Sequence, residues 1–66
     1  MPKFIILMRN GLYYESYDAG RGKVMVCSLP QAAATFPSRL AALAACTQSP
    51  DFAGAAIIPL EQATIH

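Results

Sequence analysis

Lys3-Phe4-Ile5-Ile6-Leu7-Met8-Arg9-Asn10-Gly11-Leu12-Tyr13-Tyr14 decides the fold. Between Lys3 and Arg9 every residue is apolar, and the aromatic and β-branched members suit a pleated strand. Phe4, Ile6 and Met8 fall on one face of that strand and Ile5 and Leu7 on the other. A strand apolar on both faces belongs in the middle of a sheet, or has its second face covered by another subunit. Asn10-Gly11 is the strongest short-range hairpin pair, because a type I′ turn needs positive φ at both central residues. Leu12 to Asp18 should therefore return antiparallel, with Leu12, Tyr14 and Ser16 on one face and Tyr13, Glu15 and Tyr17 on the other.

Working outward, Ala19-Gly20-Arg21-Gly22 reads as a second turn and Lys23 to Cys27 as a third strand, completing a meander. The period then changes. Ser28 is placed to cap a helix carrying Leu29, Ala33 and Phe36 at i, i+4 and i+7, with Pro30 tolerated in its first turn. Pro37 ends that element. Ser38 caps a second helix, Arg39 to Thr47, in which Leu40, Leu43, Ala44 and Thr47 form one stripe and the alanines permit close approach to the sheet. A loop over 48–51 follows, anchored by Phe52. Ala55 to Leu60 is the last strand, an edge or one that stops at Pro59, which cannot donate to a ladder; Glu61 to His66 is left unassigned. The expected architecture is α+β: β-β-β-α-α-β, an antiparallel sheet with helices on one face, in a single domain over 1–66 without repeats or linkers.

Composition asks what supports so small a core. The chain has 66 residues, 55% apolar and 14% charged. A core of this size rarely supplies more than about 3–5 kcal/mol without a disulfide, a metal or a partner chain. The sole histidine is His66 and the only cysteines are Cys27 and Cys46, so four zinc ligands are not available and neither metal nor cofactor is expected. The apolar run Phe4 to Met8 is too short for a signal-peptide core or a membrane span. The expected location is thus the cytoplasm, with Cys27 and Cys46 acting as small buried hydrophobes. A partner chain remains as the helper, most simply a second copy in a homo-oligomer such as a dimer. Alanine accounts for 12 of the 36 apolar residues, so the large-side-chain core is modest. The formal charge of +1 gives no field that steers the chain to nucleic acid.

Candidate chemistry is sparse. Gly20-Arg21-Gly22-Lys23 has glycines and a lysine as a phosphate loop does, but no Ser or Thr follows the lysine and a strand comes next, so a hairpin turn is the better reading. Nucleophilic catalysis would need His66 to reach Cys27 or Cys46, both of which periodicity places near the core. Glu15 and Asp18 fall on opposite strand faces and make no carboxylate pair. The protein is therefore expected not to be an enzyme. Tyr13, Tyr14 and Tyr17, with Arg9 and Arg21, are the candidate partner-binding residues, since aromatics with arginine are what protein interfaces enrich. The alternative use of the same face is as a stacking platform for nucleic acid, but four basic against two acidic groups in the first 23 residues is a slight bias. A purely structural homo-oligomer subunit is a third reading.

Lys3-Phe4-Ile5-Ile6, Asn10-Gly11-Leu12-Tyr13-Tyr14, Ala33-Ala34-Thr35-Phe36 with Ser38 and Ala42, and Ile57-Ile58-Pro59-Leu60-Glu61 together resemble short accessory proteins of bacteriophages and mobile elements. Pro37 departs from that pattern, in which the helix cap often follows the phenylalanine directly. The resemblance implies a non-catalytic protein of phage type, and among such proteins inhibitors of host defence complexes, anti-CRISPR proteins included, are a recurring role. It implies no catalytic residues.

Overall fold

The computed structural model describes residues 3–64, a four-stranded antiparallel sheet with two helices. The strands are β1 (Phe4–Leu7), β2 (Tyr13–Asp18), β3 (Lys23–Cys27) and β4 (Ala56–Pro59), in spatial order β3-β2-β1-β4. The helices are α1 (Arg39–Cys46) and α2 (Leu60–Thr64), and single 3-10 turns occupy Pro30–Ala32 and Pro50–Phe52. The α+β fold expected from the sequence is present. β1 is central, as its two apolar faces demand: Ile5 and Ile6 point to opposite sides and both are 0% exposed within the one chain.

The hairpin after β1 forms by a different turn from the one expected. Met8 N donates to Leu12 O at 2.7 Å and Gly11 N to Met8 O at 3.0 Å, so the loop is Arg9-Asn10-Gly11. Among the described residues positive φ is confined to glycines, and Gly11 at 86° supplies it here. Asn10 instead accepts from Leu12 N through Oδ1 at 3.0 Å. This is the three-residue hairpin in which a type I turn is followed by a left-handed glycine, and it spares Asn10 the positive φ that a type I′ turn would impose.

β2 also departs from simple alternation. Tyr14 pairs with Val26 and Ser16 with Met25, so the register shifts by one and Glu15 is the extra residue of a bulge. Beyond it the parity is inverted: Tyr17 pairs with Val24 and joins the face of Tyr14, while Tyr13, paired with Cys27, lies on the other face. The expected grouping of Tyr13 with Tyr17 is corrected by this bulge.

β1 and β2 pair at Leu7 and Tyr13 and then diverge. The gap is filled by an extended segment. Ala34 N donates to Tyr14 O at 3.0 Å, and Phe36 and Phe4 exchange both backbone bonds, at 2.9 and 2.8 Å. For this reason the helix expected over 28–36 reduces to the turn Pro30–Ala32, whose cap position is Leu29 without a side-chain bond rather than Ser28. Backbone groups at 34–36 gain more from sheet partners than from a helix bracketed by Pro30 and Pro37.

Ser38 does cap α1, its Oγ accepting from Ala41 N at 3.1 Å. α1 meets the sheet through Ala42, Ala45 and Cys46, over a cluster of Ile6, Met8 and Phe52 with Tyr14, Val24, Val26, Phe36 and Ile57 around it. The helix meets that cluster through small residues. Leu40 and Leu43 consequently face away. The tail left unassigned by sequence begins as α2, tied to the start of β1 by Leu60 N donating to Lys3 O at 2.8 Å. His66 lies outside the described residues.

Candidate functional site

The five residues singled out by sequence do not form one patch. Arg9 sits in the β1–β2 turn and Arg21 in the β2–β3 turn, at opposite ends of β2 and thus about 20 Å apart along a six-residue strand. Arg9 lays its stem across Gly54, where a Cβ would meet Arg9 Cδ at 3.1 Å, a contact the flexible stem can relieve; φ at 80° is what favours glycine there. Arg9 also lines an open depression with Asn10, Pro50 and Asp51. Arg21 is exposed and lies 3.7 Å from Asp18. Tyr14 is a packing residue: its ring stacks near Phe36, with centroids 6.2 Å apart, and meets Phe52 edge-on at 5.2 Å. Tyr13 is half-buried on the opposite face. Tyr17 alone among the tyrosines is substantially open, at 42%.

The glycine-rich turn does not cradle an external anion. Asp18 Oδ1 accepts from Gly20 N at 3.1 Å and from Arg21 N at 3.3 Å, so the amides that could hold a phosphate already hold the chain's own carboxylate. Among the described residues no group of His, Cys, Asp and Glu is arranged to hold a metal ion. Cys27 and Cys46 are free and half-buried; Cys27 Sγ donates to Leu29 O at 3.4 Å, and burial pushes the Cys46 thiol pKa up. No helix among the described residues is long and apolar enough to cross a membrane.

Two surfaces stand out instead. The first is the outer face of α1. Leu40 is 76% and Leu43 51% exposed, and Ala44 and Thr47 are exposed on the same stripe. Thr47 Oγ1 donates to Ala44 O at 2.7 Å, so its hydroxyl proton is satisfied within the helix. The sequence showed the stripe but not its direction: leucine at helical spacing ordinarily faces a core.

The second is an asymmetry between the two edges of the sheet. At β4, the pairing of Phe4 with Pro59 and the Phe4–Phe36 bonds on the far side of β1 fix the phase of the ladder. Ile5 and Leu7 then bond to β4, and Ile57 and Pro59 turn their backbone groups outward. Pro59 has no donor to present, and the Ile57 carbonyl accepts from Arg39 Nη1 at 3.0 Å. The same guanidinium lies 5.1 Å from the centroid of the Phe4 ring. Arg39 was not among the residues singled out by sequence, although it is the only charge in α1. At β3, Tyr14 bonds toward Ala34 on the β1 side, so Tyr13 bonds to Cys27. Alternation then turns the N–H and C=O groups of Val24 and Val26 away from β2, at an edge with no further strand among the described residues.

No family model, curated protein or solved structure matches the chain.

Proposed function

We propose that this protein is a non-catalytic interaction module that presents the outer stripe of α1, Leu40, Leu43, Ala44 and Thr47, to an apolar groove on a partner protein. The observation that carries this reading is the division of labour in α1, which packs on its own sheet through Ala42 and leaves its two leucines 76% and 51% exposed. An uncharged amphipathic helix face of this kind suits helix-in-groove recognition, in which residues at i, i+3, i+4 and i+7 are the anchors. Exposed leucines in series are costly to leave in water and are a recognised mark of an interaction site. Tyr17 and Arg21 remain candidate contributors, whereas Tyr14 contributes by holding the sheet against Phe36 and Phe52. The sharper form, a phage-borne inhibitor that occupies a surface of a bacterial defence complex in the cytoplasm, rests on the sequence resemblance.

Affinity purification from bacterial lysate with the wild-type chain and with a Leu40→Asp, Leu43→Asp variant tests the module. Both side chains are outside the core, so the variant is expected to keep its fold by circular dichroism. A partner retained in fixed stoichiometry by the wild type and lost by the variant is the expected result. A partner held equally by both proteins would remove α1 from the interface.

A further inference from the structure

The β3 edge has a property that the β4 edge lacks: it is complementary to itself. Lys23-Val24-Met25-Val26-Cys27 is symmetric about Met25 over Val-Met-Val. Antiparallel pairing with a second copy about a two-fold axis at Met25 sets Val24 opposite the partner's Val26, and Val26 opposite the partner's Val24. These are the two residues whose N–H and C=O groups point away from β2. Both valine pairings therefore fall on hydrogen-bonded positions of the new ladder, and Met25 falls on the non-bonded position, where side chains come closest. β-branched residues face each other in the arrangement that stabilises sheets. The edge charge also agrees, because Lys23 faces the partner's Cys27 and no like charges are opposed. Met25 is 43% exposed and free to meet its own counterpart.

We propose that two copies of the chain join through β3 into a continuous eight-stranded antiparallel sheet with its two-fold axis at Met25. The occupant is a second copy because the register that satisfies every outward Val24 and Val26 group also maps the strand onto itself, giving a closed isologous contact. β4 cannot extend the sheet in the same way, since Pro59 has no donor and the Ile57 carbonyl is taken by Arg39. Growth therefore stops at the dimer. This contact is separate from the α1 stripe, and either can fail without the other.

Sedimentation equilibrium over a concentration series is the test, with Met25→Lys, Met25→Glu and their equimolar mixture beside the wild type. Like charges opposed at the axis should raise the dimer dissociation constant of each single variant by about fivefold or more, and the mixture should recover association as opposite charges meet. A Val26→Pro chain, which loses the outward donor together with part of the packing that Val26 makes on the core cluster, should be monomeric at a lower stability. If Val26→Pro does not fold, the Met25 variants decide alone. A wild type that stays monomeric throughout overturns the proposal. So does a dimer insensitive to both Met25 changes, or one dissolved by Leu40→Asp with Leu43→Asp instead.

Discussion

The two edge strands of this sheet have similar length and composition and opposite exposure of their backbone. β4 ends in a proline and has the carbonyl of Ile57 held by Arg39, a side chain delivered from the first turn of α1. β3, one residue longer, has neither device, and its outward groups at Val24 and Val26 face no further strand among the described residues. The β4 edge is closed by a proline within the strand and by a tertiary contact from Arg39, and β-propensity does not decide it. On the proposed pairing, a domain with one open edge adds a second copy there and nowhere else.

The strongest way to disturb that contrast is to remove the support shared by both edges. Tyr14→Ala takes away the ring between Phe36 and Phe52 and should cost about 2–4 kcal/mol in urea unfolding, close to the whole stability of a domain this size. Tyr17→Ala, on the same face but open to solvent, should stay within about 1 kcal/mol of wild type. Equal losses for the two would contradict the packing of Tyr14 against the core.

Arg39→Ala addresses the contrast itself. It removes a charged donor to the Ile57 carbonyl and the cation from the Phe4 ring, for a cost of about 1–2 kcal/mol in the same measurement. It should also uncover the β4 edge, so that light scattering detects species larger than a dimer at high concentration. Arg39→Lys should restore part of the stability, since its ammonium can donate to the carbonyl but has no planar fork.

The smallest expected effect concerns Cys46, whose thiol packs under α1 and is pushed toward a higher pKa by burial. Burial favours the neutral form, so the folded-state value lies above the unfolded one. The stability it contributes is complete below the ordinary thiol range and declines as pH rises through that range toward the folded-state value. Thermal melts from neutral to alkaline pH should show this decline, and Cys46→Ala should be flatter over that interval. Parallel curves for the two proteins would remove burial as the cause.

Much of the fold is legible locally. Gly11 marks the first turn, Ser38 starts α1, Phe52 anchors the loop before β4, and Pro59 ends an edge strand, each through chemistry contained in a few residues. The features that were not legible depend on contacts between distant segments. Nothing in Tyr14-Glu15-Ser16 announces a bulge, since no glycine or proline stands there, and the bulge alone moves Tyr17 onto the face of Tyr14. Leu29, Ala33 and Phe36 have helical spacing, but the gap between β1 and β2 draws 34–36 into extended structure. Leucine outranks alanine in any hydrophobic count, but α1 packs on the sheet through Ala42 and its small neighbours. The candidate site followed suit: aromatic and basic residue types pointed to β2, whereas exposure points to α1 and backbone phase to β3.

Amide hydrogen exchange at Val24, Val26 and Ile57, followed residue by residue from dilute to concentrated protein, tests the open β3 edge most directly. Exchange at Val24 and Val26 should slow as concentration rises and the second β3 pairs with the first, while Ile57 keeps one rate throughout. Rates at Val24 and Val26 that do not change where a dimer is present, or a slowing at Ile57 in their place, would contradict it.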